Sequence, residues 1–483
     1  MGVIGTIFLF YLIISYLAGA IISVIILLEN RDPAKTMSWL LMFIIFPGVG
    51  LMIYAISGRN IRKRKLFKTQ KLANNIKEKK LFDTLEKITE IVELEKESIK
   101  QNKLLRDEED GSYRKRVINM LLKTGMFPFT KNNKVDVFVD GNEKFKRLIE
   151  DIREAKDHIH LEYFIIKDSE IGRVLKEELI KKAKEGIKIR ILYDDVGCWR
   201  FWFNRKFFRE MREVGIEIAA FLPTKFPIIG GKLNYRNHRK IVVIDGIIGY
   251  TGGINIGDEY LGRNKKFGYW RDTHLMIKGD FVLALQAVFL DDFITIEKAN
   301  NSYTFYDKEF DKYFPENIVA KERVLMQLVK SGPDSTFPAI MQSILKMIMT
   351  ARENIYITTP YFVPPSSIIE ALRIASLSGV DVKIIFPEKS DHFMVNKASK
   401  SYLAELMDCG IEVYFYDKSS FIHSKTMTID GKICTLGTAN MDIRSFELNY
   451  EINTVIYDKE ITCKLDALFF EDLLKSRHFK IEE

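Results

Sequence analysis

The hydrophobic pattern at the amino terminus indicates a membrane module. Residues 3–28 form a run of 26 residues without a charged side chain, and residues 37–58 form a second uncharged run of 22 residues. About 20 helical residues cross the hydrocarbon core of a bilayer, so each run is long enough to span it. A cleaved signal peptide is the alternative for the first run. That run, however, has no basic region before it, is too long, and is followed at once by the second. We therefore predict a membrane module at residues 1–58.

The second apolar run is interrupted by Pro47, Gly48 and Gly50. These residues are compatible with a kinked span or with a re-entrant hairpin, and both alternatives stay open. Basic residues at 59–68 outnumber those between the two runs. By the positive-inside rule, everything downstream lies in the cytoplasm. The expected location is a cell membrane, with a multi-pass anchor and the domains after residue 58 on the cytoplasmic side. The basic cluster also suits the anionic headgroups of the inner leaflet, so an anionic phospholipid membrane is an expected partner.

Residues 59–120 are predicted to form a basic juxtamembrane segment and a helical linker. Apolar residues recur there at helical spacing, as at Leu81, Leu85 and Ile88. The stretch 59–80 alone carries +9, so the rest of the chain sums to −1 against a formal net charge of +8. A nucleic-acid-binding domain concentrates positive charge on its binding fold. The charge pattern therefore argues against a nucleic-acid partner.

The remainder of the chain is an internal repeat that alternates strand and helix patterns. Three β-rich segments recur in order: 155–164 resembles 351–362, 186–193 resembles 379–386, and 215–218 resembles 410–413. Helical patterns separate them, and this alternation is typical of sheets covered by helices. We predict an α/β fold in which two pseudo-symmetric domains, residues 121–315 and 316–483, follow the membrane anchor.

Both halves of the repeat contain His, Lys, Asp, Gly and Asn at identical offsets. The first set is His238, Lys240, Asp245, Gly252 and Asn255, and the second is His423, Lys425, Asp430, Gly437 and Asn440. The chain has only seven histidines, so two matches in register are a specific signal.

The spacing of these residues indicates an anion site. Histidine and lysine at i and i+2 of a strand point to the same face. A lysine beside a metal ion would be repelled by it, whereas two lysines and two histidines can surround one phosphate. The four cysteines lie far apart without a CxxC pair, which argues against a structural zinc site or a disulfide framework. We therefore expect neither a metal nor a cofactor. The amides of Asn255 and Asn440 are candidate additional donors.

The two aspartates admit two interpretations. Asp245 and Asp430 fall on the opposite strand face from their histidines, and each precedes a glycine. Asp-Gly between apolar strands is a hairpin turn, which favours a structural role, while their place in the repeated set keeps them among the candidate catalytic residues.

Histidine is the best nucleophile in this set, and a second histidine can protonate the leaving alkoxide. A nucleophilic imidazole needs an acceptor that orients its other nitrogen. Each half has a candidate at a matching place after its motif: Asp272 in YWRDTH and Glu451 in LNYEIN. Their alternative role is that of ordinary carboxylates at a sheet edge. Spacing alone leaves open which histidine is the nucleophile.

The paired HxKxxxxD motifs resemble the signature of the phospholipase D superfamily. NYRNHRKIVVIDG, HSKTMTIDGKICTLGTANMDIRSFELNYE and NRDPAKTMSWLL in the anchor resemble bacterial cardiolipin synthases in particular. The resemblance implies transfer of a phosphatidyl group between two phosphatidylglycerol molecules through a phosphohistidine, giving cardiolipin and glycerol. It also implies His238 as nucleophile and His423 as general acid.

Other activities of the superfamily remain as alternatives. They are a hydrolase that uses water, a synthase that uses serine, and a nuclease; an inactive tether of the same fold is a further alternative. The near-neutral catalytic half and the apolar runs weigh against a nuclease, and two intact motifs weigh against a tether. The oligomeric state is left open.

Overall fold

A computed structural model provides the fold. It describes residues 3–28, 33–54, 95, 111–125, 127–202, 205–223, 234–299, 310–315, 322–389 and 391–480. The basic cluster and most of the predicted linker at 59–120 lie outside the described residues.

The amino-terminal module contains three helices, which are α1 (Val3–Leu28), α2 (Pro33–Ile45) and α3 (Pro47–Ile53). Among the described residues, α1 is the one helix long and apolar enough to span a membrane. Most of its large apolar side chains are exposed, as expected of a helix that contacts lipid. The second apolar run breaks at Phe46, because Pro47 starts a new helix there. With 13 residues, α2 is about 20 Å long, which is shorter than a bilayer core of about 30 Å.

The first half of the repeat is built on a seven-stranded sheet of order β2-β9-β7-β6-β3-β4-β5. Its strands are β2 (Asn133–Phe138), β3 (His158–Tyr163), β4 (Lys188–Asp194), β5 (Glu217–Phe221), β6 (Lys240–Ile244), β7 (Ile248–Gly252) and β9 (His274–Gly279). The strands β3, β4 and β5 are parallel, and the others pair antiparallel.

The second half repeats this order in a nine-stranded sheet, β1-β10-β19-β17-β16-β11-β13-β14-β20. Its strands are β1 (Phe129–Thr130), β10 (Met326–Ser331), β11 (Asn354–Thr358), β13 (Asp381–Pro387), β14 (Glu412–Tyr416), β16 (Thr426–Ile429), β17 (Ile433–Gly437), β19 (Glu451–Ile456) and β20 (Ser476–His478). The three matched segments of the repeat form β3 and β11, β4 and β13, and β5 and β14. The predicted α/β fold with two pseudo-symmetric halves is confirmed.

Helices cover the sheets. They are α4 (Gly111–Thr124), α5 (Gly141–Glu154), α6 (Glu170–Lys184), α7 (Lys206–Glu213), α8 (Phe281–Ala299), α9 (Ala339–Ile348), α10 (Ser366–Leu377), α11 (Phe393–Met407), α12 (Ile443–Glu447) and α13 (Lys459–Leu474). Short 3-10 helices lie at Trp199–Trp202, Asp258–Leu261 and Phe310–Tyr313. A short parallel pair of β12 (Phe362–Val363) with β18 (Met441–Asp442) lies outside the two large sheets. A shared apolar core joins the halves, because α8 contributes Phe281 and Leu285 beside Val243 of the first sheet and Leu436 of the second.

The start of the predicted first domain belongs to the second sheet in the structure. Strand β1 lies within the predicted first domain (121–315) but pairs with β10 of the second sheet. Helix α4 packs on the same side, with Val117 and Leu121 buried beside Ile340 and Ile344 of α9. The segment therefore crosses to the second half before the first sheet begins, a tertiary pairing that local sequence patterns do not encode.

Equivalent Asp-Gly turns close the hairpins that carry the two motifs. Asp245 and Gly246 have φ angles of 54° and 67°, and Asp430 and Gly431 have 55° and 60°. Two successive positive φ angles are the type I′ geometry that matches strand twist. The Asp245 carboxylate accepts backbone N–H bonds from residues 156, 157 and 158, and that of Asp430 accepts them from residues 352, 353 and 354. These carboxylates thus tie each turn to the start of the neighbouring strand, at the end of β6 or β16 remote from the histidines.

Replacing Asp245 by Ala should lower the free energy of unfolding by about 3 kcal/mol, because three backbone donors lose a charged acceptor. Asp245→Asn should cost less, since Asn tolerates positive φ and keeps one carbonyl oxygen. Thermal unfolding of the full chain in detergent measures the difference. A normal unfolding midpoint combined with lost turnover in Asp245→Ala would instead assign this aspartate to the chemistry.

Candidate active site

The two motifs meet where the halves join, and each is held by backbone bonds from the other half. His238 N donates to Tyr450 O at 2.9 Å, and His423 N donates to Arg271 O at 2.7 Å. The second contact continues a parallel pairing of β15 (Phe421–Ile422) with β8 (Trp270–Arg271). The two histidines therefore occupy equivalent places on opposite sides of the boundary between the halves. We call this boundary, with His238, Lys240, His423 and Lys425, the seam.

Each lysine lies beside its histidine on the same strand face. The Nζ atom of Lys240 donates to His238 O at 2.7 Å, and that of Lys425 donates to His423 O at 2.5 Å. The two sites differ in one respect. Lys425 Nζ also lies 2.9 Å from Nδ1 and 3.1 Å from Nε2 of His423. Each seam-facing imidazole thus has an ammonium group next to it.

A carboxylate from the opposite half orients each histidine. Glu451 Oε2 lies 2.9 Å from His238 Nδ1, and Asp272 Oδ2 lies 2.7 Å from His423 Nδ1. Both carboxylates are fully buried and held by further bonds: Thr438 Oγ1 donates to Glu451 at 2.6 Å, and the Thr273 amide donates to Asp272 at 2.7 Å. The sequence places each carboxylate after the motif of its own half, but the fold pairs it with the histidine of the other half.

Burial and the neighbouring lysines favour the neutral form of both imidazoles. Desolvation lowers the pKa of His238 to about 4, with Lys240 and Lys425 adding to the effect against the attraction of Glu451. Desolvation and Lys425 likewise lower the pKa of His423. A neutral ring that donates from Nδ1 to a carboxylate has its lone pair on Nε2. That nitrogen is the one required for nucleophilic attack.

The remaining charges of the site are set by the same contacts. Burial alone would raise the pKa of Glu451 and of Asp272, but the facing histidine and lysine groups hold both pKa values below their usual range. Desolvation lowers the pKa of Lys240 to about 7 and that of Lys425 to about 8. The lysines also repel each other across the seam. An anion bound between them would relieve this repulsion.

The two motif asparagines have different surroundings. Asn255 Oδ1 accepts from the Ile165 amide at 3.2 Å, and its Nδ2 donates to Tyr260 Oη at 3.0 Å. One of the two Nδ2 donors is therefore used by the protein, and the second is the one that the predicted contact with phosphate would need. Asn440 is buried, and its Oδ1 has no hydrogen-bond partner among the described residues. Asn440 thus has a side-chain oxygen that a ligand could satisfy.

Trp270 is a residue that the sequence reasoning missed. Its ring centroid lies 5.2 Å from that of His423, and its buried Nε1 has no partner among the described residues. Tyr260, which Asn255 holds, packs against the Trp270 ring at 4.8 Å. Asn255 is thus linked through Tyr260 to the aromatic ring that packs against His423. Its position two residues before Asp272 gives Trp270 no chemical signal by itself.

Two buried arginines next to the site residues were also missed. Arg239, between His238 and Lys240, pairs with Asp292 of α8. Arg271 makes two bonds to Asp472 of the second half, at 2.8 Å and 3.1 Å. Paired buried charges of this kind fix geometry, because either partner alone would be costly to bury. Among the residues that the structure describes, no cluster of His, Cys, Asp and Glu could hold a metal ion.

Comparisons with known families agree with this geometry. The family described as cardiolipin synthase, PLD-like domain, matches residues 148–278 and 344–473, which fall in the two halves of the repeat. The family described as phospholipase D-nuclease N-terminal matches residues 17–59.

Individual relatives cover nearly the whole chain. The major cardiolipin synthase of Bacillus subtilis is 44% identical over 95% of this chain and 91% of its own length. A cardiolipin synthase of Listeria innocua is 41% identical over 99% of this chain and 94% of its own. The crystal structure of a phosphatidylserine synthase from Haemophilus influenzae has a TM-score of 0.58 at 15% identity, covering 76% of this chain and 92% of that one, which shows a shared fold. The chain belongs to the cardiolipin synthase family of phospholipase D-like proteins.

Proposed function

We propose that this protein is a cardiolipin synthase that transfers a phosphatidyl group between two phosphatidylglycerol molecules, giving cardiolipin and glycerol. The observation that carries the proposal is the seam, where two histidine–lysine pairs meet and each imidazole is oriented by a carboxylate of the opposite half. The names of the near-full-length relatives support the same reaction.

The first half-reaction forms a phosphohistidine. The phosphodiester of one lipid lies between Lys240 and Lys425, whose ammonium groups stabilise the charge that develops on its oxygens. His238 Nε2 attacks phosphorus, and the bond from phosphorus to the glycerol oxygen breaks. His423 gives that oxygen its proton, so glycerol leaves neutral. The bound anion, together with Asp272, favours the protonated form of His423 that this step requires.

The second half-reaction reverses the proton transfer. The terminal hydroxyl of a second phosphatidylglycerol gives its proton to His423 and attacks phosphorus, and the bond to His238 breaks as cardiolipin forms. The family resemblance assigns His238 as the nucleophile, and the surroundings of the two histidines differ in one respect. Lys425 Nζ lies against both ring nitrogens of His423, whereas the contact of Lys240 is to the backbone carbonyl of His238.

We propose that the catalytic halves face the cytoplasm and that the anchor is multi-pass, with α2 and α3 together as a kinked second crossing. The apolar helix α1 and the family match over residues 17–59 support attachment to the membrane. The basic cluster after residue 58 favours the cytoplasmic side and suits an anionic lipid surface.

Product analysis tests the proposed reaction. The purified full chain in detergent micelles with labelled phosphatidylglycerol should yield cardiolipin and glycerol in equal amounts. Phosphatidic acid as the main product would show a hydrolase instead, and phosphatidylserine formed on addition of serine would show a serine-type synthase.

Separate His238→Ala and His423→Ala variants should each lose turnover by about 10³-fold or more. Rapid quenching of the wild type in SDS at mildly alkaline pH, where the P–N bond of a phosphohistidine survives, should trap a lipid-linked histidine. His238→Ala should abolish this label because the nucleophile is gone. If His423→Ala instead removes the label while His238→Ala retains it, the two roles are exchanged.

Glu451→Gln should lower kcat by about 10²-fold or more with little change in KM, because Glu451 stabilises the imidazole without touching substrate. Glu460→Gln, an exposed carboxylate on α13, is the matched control and should behave like the wild type. Steady-state kinetics on phosphatidylglycerol measure both. A rise in KM with unchanged kcat would assign Glu451 to substrate binding instead.

The lowered lysine pKa values predict how substrate affinity depends on pH. A lysine binds phosphate in its charged form, which is present below its pKa and lost above it. With values of about 7 and 8 for Lys240 and Lys425, KM should rise by about tenfold or more between pH 7 and pH 9. Lys240→Arg keeps its charge and should flatten this rise. A constant KM across the range in the wild type would show that lysine charge does not bind the phosphate.

A further inference from the structure

Two equivalent connections leave the sheets at the catalytic edge. One follows β4 and the other follows β13, and these strands are counterparts in the repeat. Strand β4 is parallel to β3, and β13 is parallel to β11, so the two connections start at the edge of the sheet where β3 and β11 end. The motif strands β6 and β16 run antiparallel to β3 and β11, which places their lysine ends at the same edge.

The first connection lies close to His238. Cys198 Sγ contacts Phe164 O at 3.6 Å, and the Phe164 ring packs against the His238 ring with centroids 5.0 Å apart. The next residue after Cys198 is Trp199, which is 50% exposed, followed by exposed Arg200. A large aromatic side chain is thus exposed next to Cys198, which is linked through Phe164 to the reacting imidazole of His238.

The second connection lies close to His423. The carboxylate of Asp391 is near enough to raise the pKa of both His423 and Lys425 against the larger lowering by burial, and it accepts a hydrogen bond from Tyr361 Oη at 2.5 Å. After His392, which follows Asp391, Phe393 and Met394 begin helix α11 and are 71% and 77% exposed. These are among the most exposed large apolar side chains of the described catalytic halves.

Both connections combine exposed apolar groups with positive charge. The first carries exposed basic side chains at Arg200, Arg205 and Lys206, and the second carries exposed Lys397 one turn after Phe393. Exposed aromatic and apolar side chains beside basic residues are the pattern of segments that lie in the interface of an anionic bilayer. A water-soluble substrate would not require such a surface at the catalytic edge.

We propose that Trp199 of the first connection and Phe393 and Met394 of the second, together called the rim, insert into the surface of an anionic lipid bilayer and deliver lipid headgroups to the seam. This inference rests on the proposed lipid substrate and extends it to how the substrate is reached. A lipid headgroup then moves from the bilayer to the histidines without exposing its acyl chains to water, which is unfavourable in proportion to the apolar area exposed.

A double variant, Phe393→Asp with Met394→Asp, tests the rim in the full chain. The chain is reconstituted in phosphatidylcholine vesicles that contain long-chain phosphatidylglycerol, and a parallel assay in detergent uses dihexanoyl-phosphatidylglycerol as a soluble monomer. Activity on vesicles should fall by about tenfold or more, and activity on the soluble lipid should change by less than about twofold. Trp199→Asp should also lower activity on vesicles. Phe393→Trp should keep the vesicle activity of the wild type, because it retains an interfacial side chain.

The matched control is Ile374→Asp with Leu377→Asp. These side chains are 62% and 69% exposed at the end of α10, just before β13 and thus at the opposite edge of the sheet. The control should leave both activities unchanged.

Equal loss on both substrates in the rim variant, or no loss on either, would overturn the proposal. Equal loss together with a change from dimer to monomer would assign the surface to a second copy of the chain. If the wild type forms phosphatidic acid on both substrates, the proposed transferase fails while the activity ratio still tests the rim.

Discussion

The structure depends on a reciprocal exchange of hydrogen bonds between its halves. Each half supplies a histidine and a lysine, and it also supplies the carboxylate that orients the histidine of the other half. Neither half alone contains a complete site. Backbone bonds from His238 and His423 to the opposite half, and the pair between Arg271 and Asp472, hold the halves in the position that this exchange requires.

The exchange also explains how charged groups persist in a buried site. Isolated buried charges are expensive, but here each carboxylate faces an imidazole and an ammonium group, which keeps it ionised. The two lysines repel each other and their pKa values are lowered, so an anion between them is favoured. The phosphodiester of the proposed substrate is such an anion.

The sequence predicted those features of the fold and site that depend on residues close together in the chain. The strand repeats, the His–Lys spacing and the Asp-Gly turns follow from side-chain alternation and backbone preference. The exchange of Asp272 and Glu451 between halves did not follow, because it depends on how two sheets dock. The pairing of β1 with β10 escaped prediction for the same reason. Trp270 gave no chemical signal in the sequence, since its ring acquires a role only beside His423.

The most direct measurement of the central claim is a crystal structure of the full chain with bound vanadate. The account predicts one vanadate in the seam, between the Nε2 atoms of His238 and His423, with the ammonium groups of Lys240 and Lys425 on its oxygens. Two separate anions, each bound by the histidine and lysine of a single half, would contradict it.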